Sequence, residues 1–574
     1  MKRCISILLL LFNILPSVFA IDKHYLKNET YTYEELIEVY KDFDKQSQYA
    51  KLIEIGESDN GKPIHLFVID KTSQFSPLKA KNSEKTIILI NNGIHAGEAC
   101  GIDASVELTR NLLNTNSGQH KNLDSVVVLI VPVYNIGGIL NRGKYSRANQ
   151  NGPKEHGFRG NAKNLDLNRD FIKCDSKNAK TFSTLFTAWN PDIFIDTHTS
   201  NGSDHQYTMT LIATQKDKLN PVLSKFMQEQ MLPELYQEME RKEMQMTPYV
   251  YSLHKTPKKG IKDFLETPRY SSGYASLFDC FSFITEAHVF KNFSDRVIQT
   301  LGFLETLVAF SANHRTEIKL IRKEAIESTL HQTSFPIEWE LDISQYKTIE
   351  FRGYETEQRI SEVTGNEMLF YNQQKEFVEP IQYFNTYKAI NSVNIPKYYL
   401  IPQAYTAVIE RLKLNGVKLD QLKIDSSIEV SVTYIKDYET VTHPYEAHYL
   451  HSNINSENKK EVIQFYQGDF IVSTNQIAVR YLVEVLEAES VDGFFAWNLF
   501  DGILQQKEWF SDYAFEPIAQ SILEENKELN ADFENKKLTD STFASNNLAQ
   551  LYYIYKRSPY YEPTANRFPI YRID

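Results

Sequence analysis

The N-terminal half of the chain contains short, strongly apolar runs that are separated by longer stretches with a helical pattern. The apolar runs are Thr86–Ile90, Val126–Val133, Asp192–Ile195 and Phe281–Ile284. Two of the helical stretches between them are Ile102–Leu113 and Pro221–Arg241. Continuous apolar strands that alternate with helices indicate a sheet that is buried on both faces and is largely parallel. We therefore predict an α/β fold in which helices flank a mixed, largely parallel sheet.

The pattern differs on either side of this region. Before it, Thr30–Lys45 has the periodicity of an amphipathic helix, and Lys51–Asp70 that of a β-hairpin around Asn60-Gly61. After about residue 320, Ser334–Thr356 and Ile424–Ile435 alternate between polar and apolar residues, as strands with one exposed face do. A β-rich α+β domain is therefore expected after the α/β domain.

The first twenty residues are a different kind of sequence. Lys2 and Arg3 precede the apolar run Ile5–Leu15, and Val18-Phe19-Ala20 ends in a small residue. This order is typical of a cleaved secretory signal peptide, and the run is short for a permanent membrane anchor, which is the alternative. We expect a secreted or periplasmic protein that is not attached to a membrane after cleavage.

The length of 574 residues is more than one core usually organises, so at least two domains are expected after the signal. We predict a signal peptide at residues 1–20, a catalytic domain at 21–325, and an accessory domain of unknown role at 326–574. The sequence indicates no oligomeric state.

The composition argues against a nucleic-acid-binding protein and against a disulfide-rich scaffold. The formal charge of −12 and the pI near 5.7 argue against a nucleic-acid partner, because phosphate binding calls for a basic face. Three cysteines follow the signal, namely Cys100, Cys174 and Cys280. They are too few for a disulfide scaffold and show no zinc-finger spacing, so we expect buried thiols, with one disulfide as the alternative.

Polar residues that can bind a metal follow three of the apolar runs. His95 and Glu98 come after the first, His198 after the third, and Glu286 after the fourth. In open α/β sheets, sites form at the carboxyl ends of the strands, so these side chains can converge. His95 and Glu98 are three residues apart and can share one face, and His198 can complete a set of two imidazoles and one carboxylate. This set suits one Zn²⁺ per chain, with a vacant position for water.

A second polar cluster lies between these segments. Arg169 offers a planar fork of donors that matches a carboxylate, and Asn168 adds a neutral hydrogen bond. The pair can therefore bind a terminal carboxylate. Asp166 can accept the proton on the second ring nitrogen of His95 and thereby select its tautomer.

The order H-x-x-E, then an arginine and D-x-N-R, then a strand with His and a strand with Glu resembles the carboxypeptidase A-like zinc metallocarboxypeptidases. The resemblance covers about residues 28–310. It implies a carboxypeptidase-like fold, zinc ligands at His95, Glu98 and His198, and a peptide substrate whose free C-terminal carboxylate binds Asn168 and Arg169.

The resemblance also implies roles for residues around the metal. Arg147 matches the arginine that polarises the scissile carbonyl, with Arg142 and Arg159 as competitors for that role. Glu286 matches the general base that takes a proton from the attacking water and delivers it to the leaving amine. Tyr270 is our choice for the family's flexible substrate-binding tyrosine.

Two other groups of residues have less defined expectations. His205 and His288 are interpreted as pocket residues beside the site or as surface residues. Trp497, Asp501 and Trp509 form an aromatic and acidic stretch that packs in a core or offers a binding surface.

The function expected from these residues is that of a secreted zinc carboxypeptidase, which hydrolyses the peptide bond next to a free C-terminal carboxylate with zinc-activated water. One alternative is a zinc amidase or deacylase that acts on N-acyl amino acids or cell-wall peptides. The other is a binding protein without catalytic activity on the same fold.

Overall fold

A computed structural model describes residues 22–574, so the predicted signal peptide lies outside the described residues. The described chain divides into two compact units. Unit 1 contains the described residues up to Ser392, together with Leu414–Val417 and Ile477–Tyr481, and unit 2 contains the remainder. Residues 326–392, which the sequence assigned to the accessory domain, thus belong to the same compact unit as most of residues 22–325. The limits of the functional domains stay a prediction.

Unit 1 contains fourteen strands and ten α-helices within the described residues. The strands are β1 (Ala50–Glu57), β2 (Pro63–Ile69), β3 (Thr86–Asn91), β4 (Val126–Val131), β5 (Ile193–Ser200), β6 (Met209–Ala213), β7 (Met246–Pro248), β8 (Tyr251–Ser252), β9 (Ile261–Lys262), β10 (Phe281–His288), β11 (Ser334–Leu341), β12 (Lys347–Ile360), β13 (Glu367–Phe384) and β14 (Tyr387–Asn394). The helices are α1 (Tyr33–Gln46), α2 (Pro77–Lys81), α3 (Cys100–Leu113), α4 (Ile136–Leu140), α5 (Lys177–Trp189), α6 (Pro221–Phe226), α7 (Leu232–Arg241), α8 (Ser271–Ser276), α9 (Phe293–Asn313) and α10 (Arg315–Leu330).

An eight-stranded sheet forms the centre of unit 1. Its order is β1-β2-β4-β3-β5-β10-β6-β7, and the four central strands β4, β3, β5 and β10 are parallel. Every residue of β3, β4 and β5 is buried, which explains why β3, β4 and the first part of β5 are almost continuously apolar. The predicted fold class, a mixed and largely parallel sheet flanked by helices, is confirmed.

Local sequence explains the elements before the sheet. Helix α1 begins after Thr32, whose side chain accepts from the backbone N–H of Glu35 while the Glu35 carboxylate accepts from the backbone N–H of Thr32. This capping box satisfies two N–H groups that the first helical turn leaves unpaired. Strands β1 and β2 form the predicted antiparallel hairpin.

Strands β5 and β10 run further than the apolar pattern suggested. The predicted strands stop at Ile195 and Ile284, whereas the observed strands continue to Ser200 and His288. His198 and Glu286 therefore lie within strands and not in loops after them. They are direct partners in the parallel β5–β10 pair, so the register of the sheet sets their separation.

A second, four-stranded sheet in unit 1 has the order β12-β13-β9-β8. The hairpin of β12 and β13 supplies two of its strands, and β13 pairs with β9 in parallel. Phe351 and Ile381 of this hairpin are buried against Tyr207 and Ile261 in a separate apolar cluster. Segments beyond residue 326 thus pack directly on loops of the α/β part.

Unit 2 combines a sheet with helices, in agreement with the predicted β-rich α+β region. Its sheet has the order β16-β19-β15-β20-β17-β18. The strands are β15 (Tyr398–Ile401), β16 (Asp420–Gln421), β17 (Ser426–Thr440), β18 (His451–Phe465), β19 (Phe470–Ser473) and β20 (Tyr571–Ile573). The helices, counting one that begins in unit 1, are α11 (Thr406–Leu414), α12 (Val479–Leu486), α13 (Asp512–Glu525), α14 (Lys527–Thr539), α15 (Ser541–Ala544) and α16 (Asn547–Tyr555). The last four helices, which share an apolar cluster, were not predicted from the sequence.

The three cysteines of the described chain are buried and form no disulfide among residues 22–574, as expected. Within residues 22–574, no helix combines the length and the apolar character needed to cross a membrane.

Candidate active site

Three predicted metal ligands meet at the carboxyl end of the central strands. His95 and Glu98 lie in the turn between β3 and α3, and His198 lies on β5. His95 Nδ1 is 3.3 Å from Glu98 Oε1, and His198 Nδ1 is 3.2 Å from Glu98 Oε2. The two Nδ1 atoms are 3.2 Å apart, and all three side chains are buried. The three donors therefore face one common point.

The second nitrogen of each imidazole is held by a carboxylate. His95 Nε2 donates to Asp166 Oδ1 at 2.9 Å, as the sequence predicted. His198 Nε2 donates to Asp196 Oδ2 at 3.0 Å, and Asp196 is fully buried. These bonds select the tautomer in which both Nδ1 atoms are free to bind a metal. Asp196 was missed as a functional residue, although its place two residues before a strand histidine was a signal.

The chemistry of this donor set fits zinc. Two imidazole nitrogens and one carboxylate are typical of catalytic zinc sites, which keep a fourth position open. The ligand atoms lie within 4.8 Å of one another, a spacing that one ion can span. The backbone N–H of Thr199 also donates to Glu98 Oε2 at 2.8 Å and orients the carboxylate.

Glu286 lies beside this cluster because β10 pairs with β5 at His198. Burial raises the pKa of Glu286 to about 7, and the nearby Glu98 carboxylate adds to the rise, while His198 opposes it. A carboxyl whose pKa lies near neutrality can both accept and return a proton. Glu286 therefore has the position and the proton affinity that would allow it to act as a general acid–base group.

The three candidate arginines have different partners. Arg147 Nη1 lies 3.0 Å from Glu98 Oε1 and lines the cavity. Arg159 also lines the cavity, but its Nε and Nη2 bind Asp166 Oδ2 at 2.9 and 2.7 Å. Arg142 instead donates to two backbone carbonyls of the segment before α1 and does not line the cavity.

Asn168 and Arg169 line the same cavity as the cluster of possible metal ligands. The Asn168 Oδ1 accepts from the backbone N–H of Ser271 at 3.1 Å, which ties it to the start of α8. The guanidinium carbon of Arg169 lies 4.4 Å from the centroid of the Tyr270 ring. The structure thus brings all three predicted substrate-binding residues to one side chain cluster.

The cavity has a volume of about 570 Å³ and an apolar wall that the sequence did not reveal. Ile212 and Ile284 are cross-strand partners in the β6–β10 pair, and both line the cavity. Phe264 packs against Tyr270 at 5.1 Å and against Tyr249 at 6.3 Å between ring centroids. The rings of Tyr270, Phe264 and Tyr249 therefore form a continuous aromatic surface that begins at the Arg169 guanidinium.

The other singled-out residues lie outside the cavity lining. His205 and His288 are buried, and their rings stack at 4.2 Å, while His288 Nε2 donates to Asp204. In unit 2, Trp497 is buried and Trp509 is exposed. The expectation of core packing therefore fits Trp497 alone.

Comparisons with known proteins show which sequences are similar to this chain. The sequence pattern of the family described as "Zinc carboxypeptidase" (peptidase M14) matches residues 36–276. Carboxypeptidase 2 of Trichophyton tonsurans is 20% identical over 446 residues, which cover 74% of this chain and 76% of that protein. Carboxypeptidase 2 of Trichophyton rubrum is 19% identical over 465 residues, which cover 77% and 79%.

A metallo-carboxypeptidase from Pseudomonas aeruginosa is 15% identical and aligns with a TM-score of 0.39 over 50% of this chain and 70% of its own. The family match and the curated relatives carry the conclusion. Residues 36–276 match the zinc carboxypeptidase family, and this match together with the carboxypeptidase-named relatives supports a hydrolase of the metallocarboxypeptidase class.

Proposed function

We propose that this protein is a secreted zinc carboxypeptidase that removes C-terminal residues from peptides, with one zinc ion per chain. The observation that carries the proposal is the convergence of His95, Glu98 and His198 in the cavity that also contains Glu286 and Arg169. A metal site, an acid–base group and a carboxylate-binding group are the three parts that this reaction needs. Secretion is supported by the signal-like sequence of residues 1–20.

In this proposal, Arg169 and Asn168 bind the free carboxylate of the substrate and orient the last peptide bond. Positioning of this kind converts a slow bimolecular attack into a reaction between aligned groups. Arg147 donates to the carbonyl oxygen as negative charge develops on it. Glu286 takes a proton from the attacking water and passes it to the leaving amine.

His95, Glu98 and His198 would hold a zinc ion, which would supply a Lewis acid that lowers the pKa of water and polarises the carbonyl. Asp166 and Asp196 keep the two histidines in the tautomer that binds it. Asp196 is fully buried and the Asp166 side chain is only 11% exposed, which supports this role because a carboxylate removed from water without a partner is costly.

The apolar wall supports a preference for apolar C-terminal residues. Tyr270 stacks on Arg169, and Phe264 packs against Tyr270, so a side chain next to the bound carboxylate meets aromatic surface. Ile212 and Ile284 add branched aliphatic surface from the sheet. Large apolar side chains bury the most area on such walls, each gaining about 1.5–3 kcal/mol on full burial.

The test uses zinc-loaded protein and a set of peptides that differ only in the last residue, ending in Phe, Leu, Lys or Glu. Release of the single C-terminal residue is followed by mass spectrometry, and each peptide has a C-terminally amidated control. We expect release from free C-termini only, fastest for Phe and Leu. Equal cleavage of the amidated peptides, or cleavage of N-acyl amino acids alone, would exclude the carboxypeptidase and favour the amidase or deacylase alternative.

A further inference from the structure

The side chain of Arg147 is oriented by a neighbour in its own loop. Arg147 Nε donates to Gln150 Oε1 at 2.6 Å, and Gln150 Nε2 donates to the backbone carbonyl of Gly97 at 2.9 Å. Gly97 directly precedes Glu98, one of the three possible metal ligands. The Gln150 amide thus bridges the arginine and the turn that carries the metal ligands.

Hydrogen bonds to the backbone of the next residue, Asn151, hold the loop that carries Gln150 in place. Asn151 donates its backbone N–H to the carbonyl of Val289 at 2.9 Å, just after β10. Arg296 on α9 is fully buried, and its Nη2 donates to the carbonyl of Asn151 at 2.7 Å. The backbone next to Gln150 is therefore held by the end of β10 and by α9, and this fixes the position from which the Gln150 side chain extends.

The stem of Arg147 also packs closely on the ligand turn. A Cβ atom added to Gly97 would lie 2.7 Å from Arg147 Cδ, which is too close for ordinary contact. The absence of a side chain at residue 97 lets the arginine lie across the turn. This packing positions the stem, whereas the bond to Gln150 fixes the rotation of the guanidinium about it.

The arrangement divides the donors of Arg147 into two groups. Gln150 occupies Nε, so the terminal Nη groups remain for Glu98 and for a substrate in the cavity. Arg159 differs, because Asp166 occupies both its Nε and its Nη2. An arginine has several rotatable bonds, and a fixed fork is needed to place its donors within hydrogen-bond range of a developing oxyanion.

We propose that Gln150 is a positioning residue, which acts through Arg147 and directs its Nη groups at the scissile carbonyl. The proposal rests on the proposed carboxypeptidase function. It predicts that loss of Gln150 weakens interactions made in the transition state and leaves ground-state substrate binding nearly unchanged.

The test is a double-mutant cycle on the full-length zinc-loaded protein with Gln150→Ala, Arg147→Ala and the double variant. Misplacement of a catalytic group by about 1 Å can cost about 10²-fold, so we expect Gln150→Ala to lower kcat about 10- to 100-fold with KM changed less than about threefold. Arg147→Ala should lose about 10²- to 10³-fold, as the loss of an oxyanion donor does. In the Arg147→Ala background, Gln150→Ala should have almost no further effect.

A second readout is the binding of a peptide phosphonate, whose tetrahedral centre imitates the transition state. The affinity for this probe should fall in Gln150→Ala by the same factor as kcat/KM, with zinc content and melting temperature unchanged. The matched control is Asn151→Ala, which removes the adjacent amide. The Asn151 side chain donates to Asn292 and to the carbonyl of Phe290 and does not contact Arg147, so this variant should retain wild-type rates.

The outcomes separate the two proposals. If wild-type protein releases no C-terminal residue from any peptide, the proposed function fails. If the wild type is active and Gln150→Ala matches it, or slows Arg147→Ala by the same factor as the wild type, the positioning role of Gln150 is wrong and the function stands.

Discussion

The guanidinium of Arg169 lies over the ring of Tyr270, with 4.4 Å from its carbon to the ring centroid. A cation over an aromatic face is attracted by the negative charge of the ring, with a gain of about 0.5–2 kcal/mol. The stack therefore holds the fork of Arg169 in one plane before a substrate carboxylate arrives. It also places an aromatic surface directly beside the expected position of that carboxylate.

Removal of this stack should weaken substrate binding more than turnover. We expect Tyr270→Ala to raise KM about 3- to 20-fold because the Arg169 fork loses its support. Tyr270→Phe keeps the ring and should stay within about threefold of the wild-type KM. Steady-state kinetics on a peptide with a free C-terminus measure both. A loss of kcat in Tyr270→Phe with unchanged KM would show that the hydroxyl, and not the ring, is what the reaction uses.

Glu286→Gln should retain zinc and lose activity, because the amide cannot accept a proton from water. General acid–base groups contribute about 10²- to 10⁴-fold, so kcat should fall by that factor. Zinc content by elemental analysis and single-turnover rates on one peptide check the two halves of this prediction. Near wild-type turnover in this variant would remove Glu286 from the role of base.

The rate should also depend on pH in a direction set by Glu286. Burial raises its pKa to about 7 in the metal-free protein, and a bound divalent cation favours the ionised carboxylate and lowers that pKa. The base must be ionised, so kcat/KM should fall as the pH drops through a value below 7. Profiles between pH 4.5 and 8 with zinc in excess test this. A rate that rises toward acid pH would contradict it.

Asp196→Asn should weaken zinc binding. The Asp196 carboxylate accepts from His198 Nε2, and loss of such a partner typically costs about 10- to 100-fold in metal affinity. Competition with a chromophoric chelator gives the affinity. Asp204→Asn is the matched control, because Asp204 accepts from His288 in the same way and His288 lies outside the His95–Glu98–His198 cluster. Equal affinities in Asp196→Asn and the control would show that Asp196 does not support the metal site.

Glu266 makes stability depend on pH. Its side chain is fully buried, its Oε1 accepts from the backbone N–H of Gln215, and its Oε2 has no hydrogen-bond partner among residues 22–574. Burial raises the pKa of Glu266 to about 8, while the unfolded chain titrates near 4.3. Between these values the folded state retains a proton that the unfolded state loses. The contribution of Glu266 to stability therefore decreases as the pH rises, by at most about 1.4 kcal/mol per pH unit.

Glu266→Gln removes this titration and keeps an acceptor for Gln215. The variant should gain stability over the wild type between pH 5 and pH 8, measured as the difference in free energy of unfolding in urea. The full-length protein suits this comparison because both chains differ in one atom of one side chain. A difference that is independent of pH would show that Glu266 is ionised in the folded protein.

The candidate residues of the site could be identified from the sequence alone. His95, Glu98 and His198 could be named as candidate metal ligands because metal ligands are specific residue types, and each follows an apolar run that predicts a strand of a parallel sheet. Asp166, Asn168 and Arg169 could be named because they occur together in one short segment. Such signals are local, and the order of strands brings them to one edge of the sheet whatever the intervening loops do.

Only the tertiary structure decided which residues surround that chemistry. The wall of Tyr249 and Phe264, the partners of Arg147 and Arg159, and the packing of the β12–β13 hairpin join residues that are far apart in the chain or leave no periodic pattern. Asp196 and Gln150 gained their roles from the direction of their side chains, which depends on strand register and loop anchoring. Residue types and spacing determine what a chain can bind, whereas contacts between distant segments determine how each group is aimed.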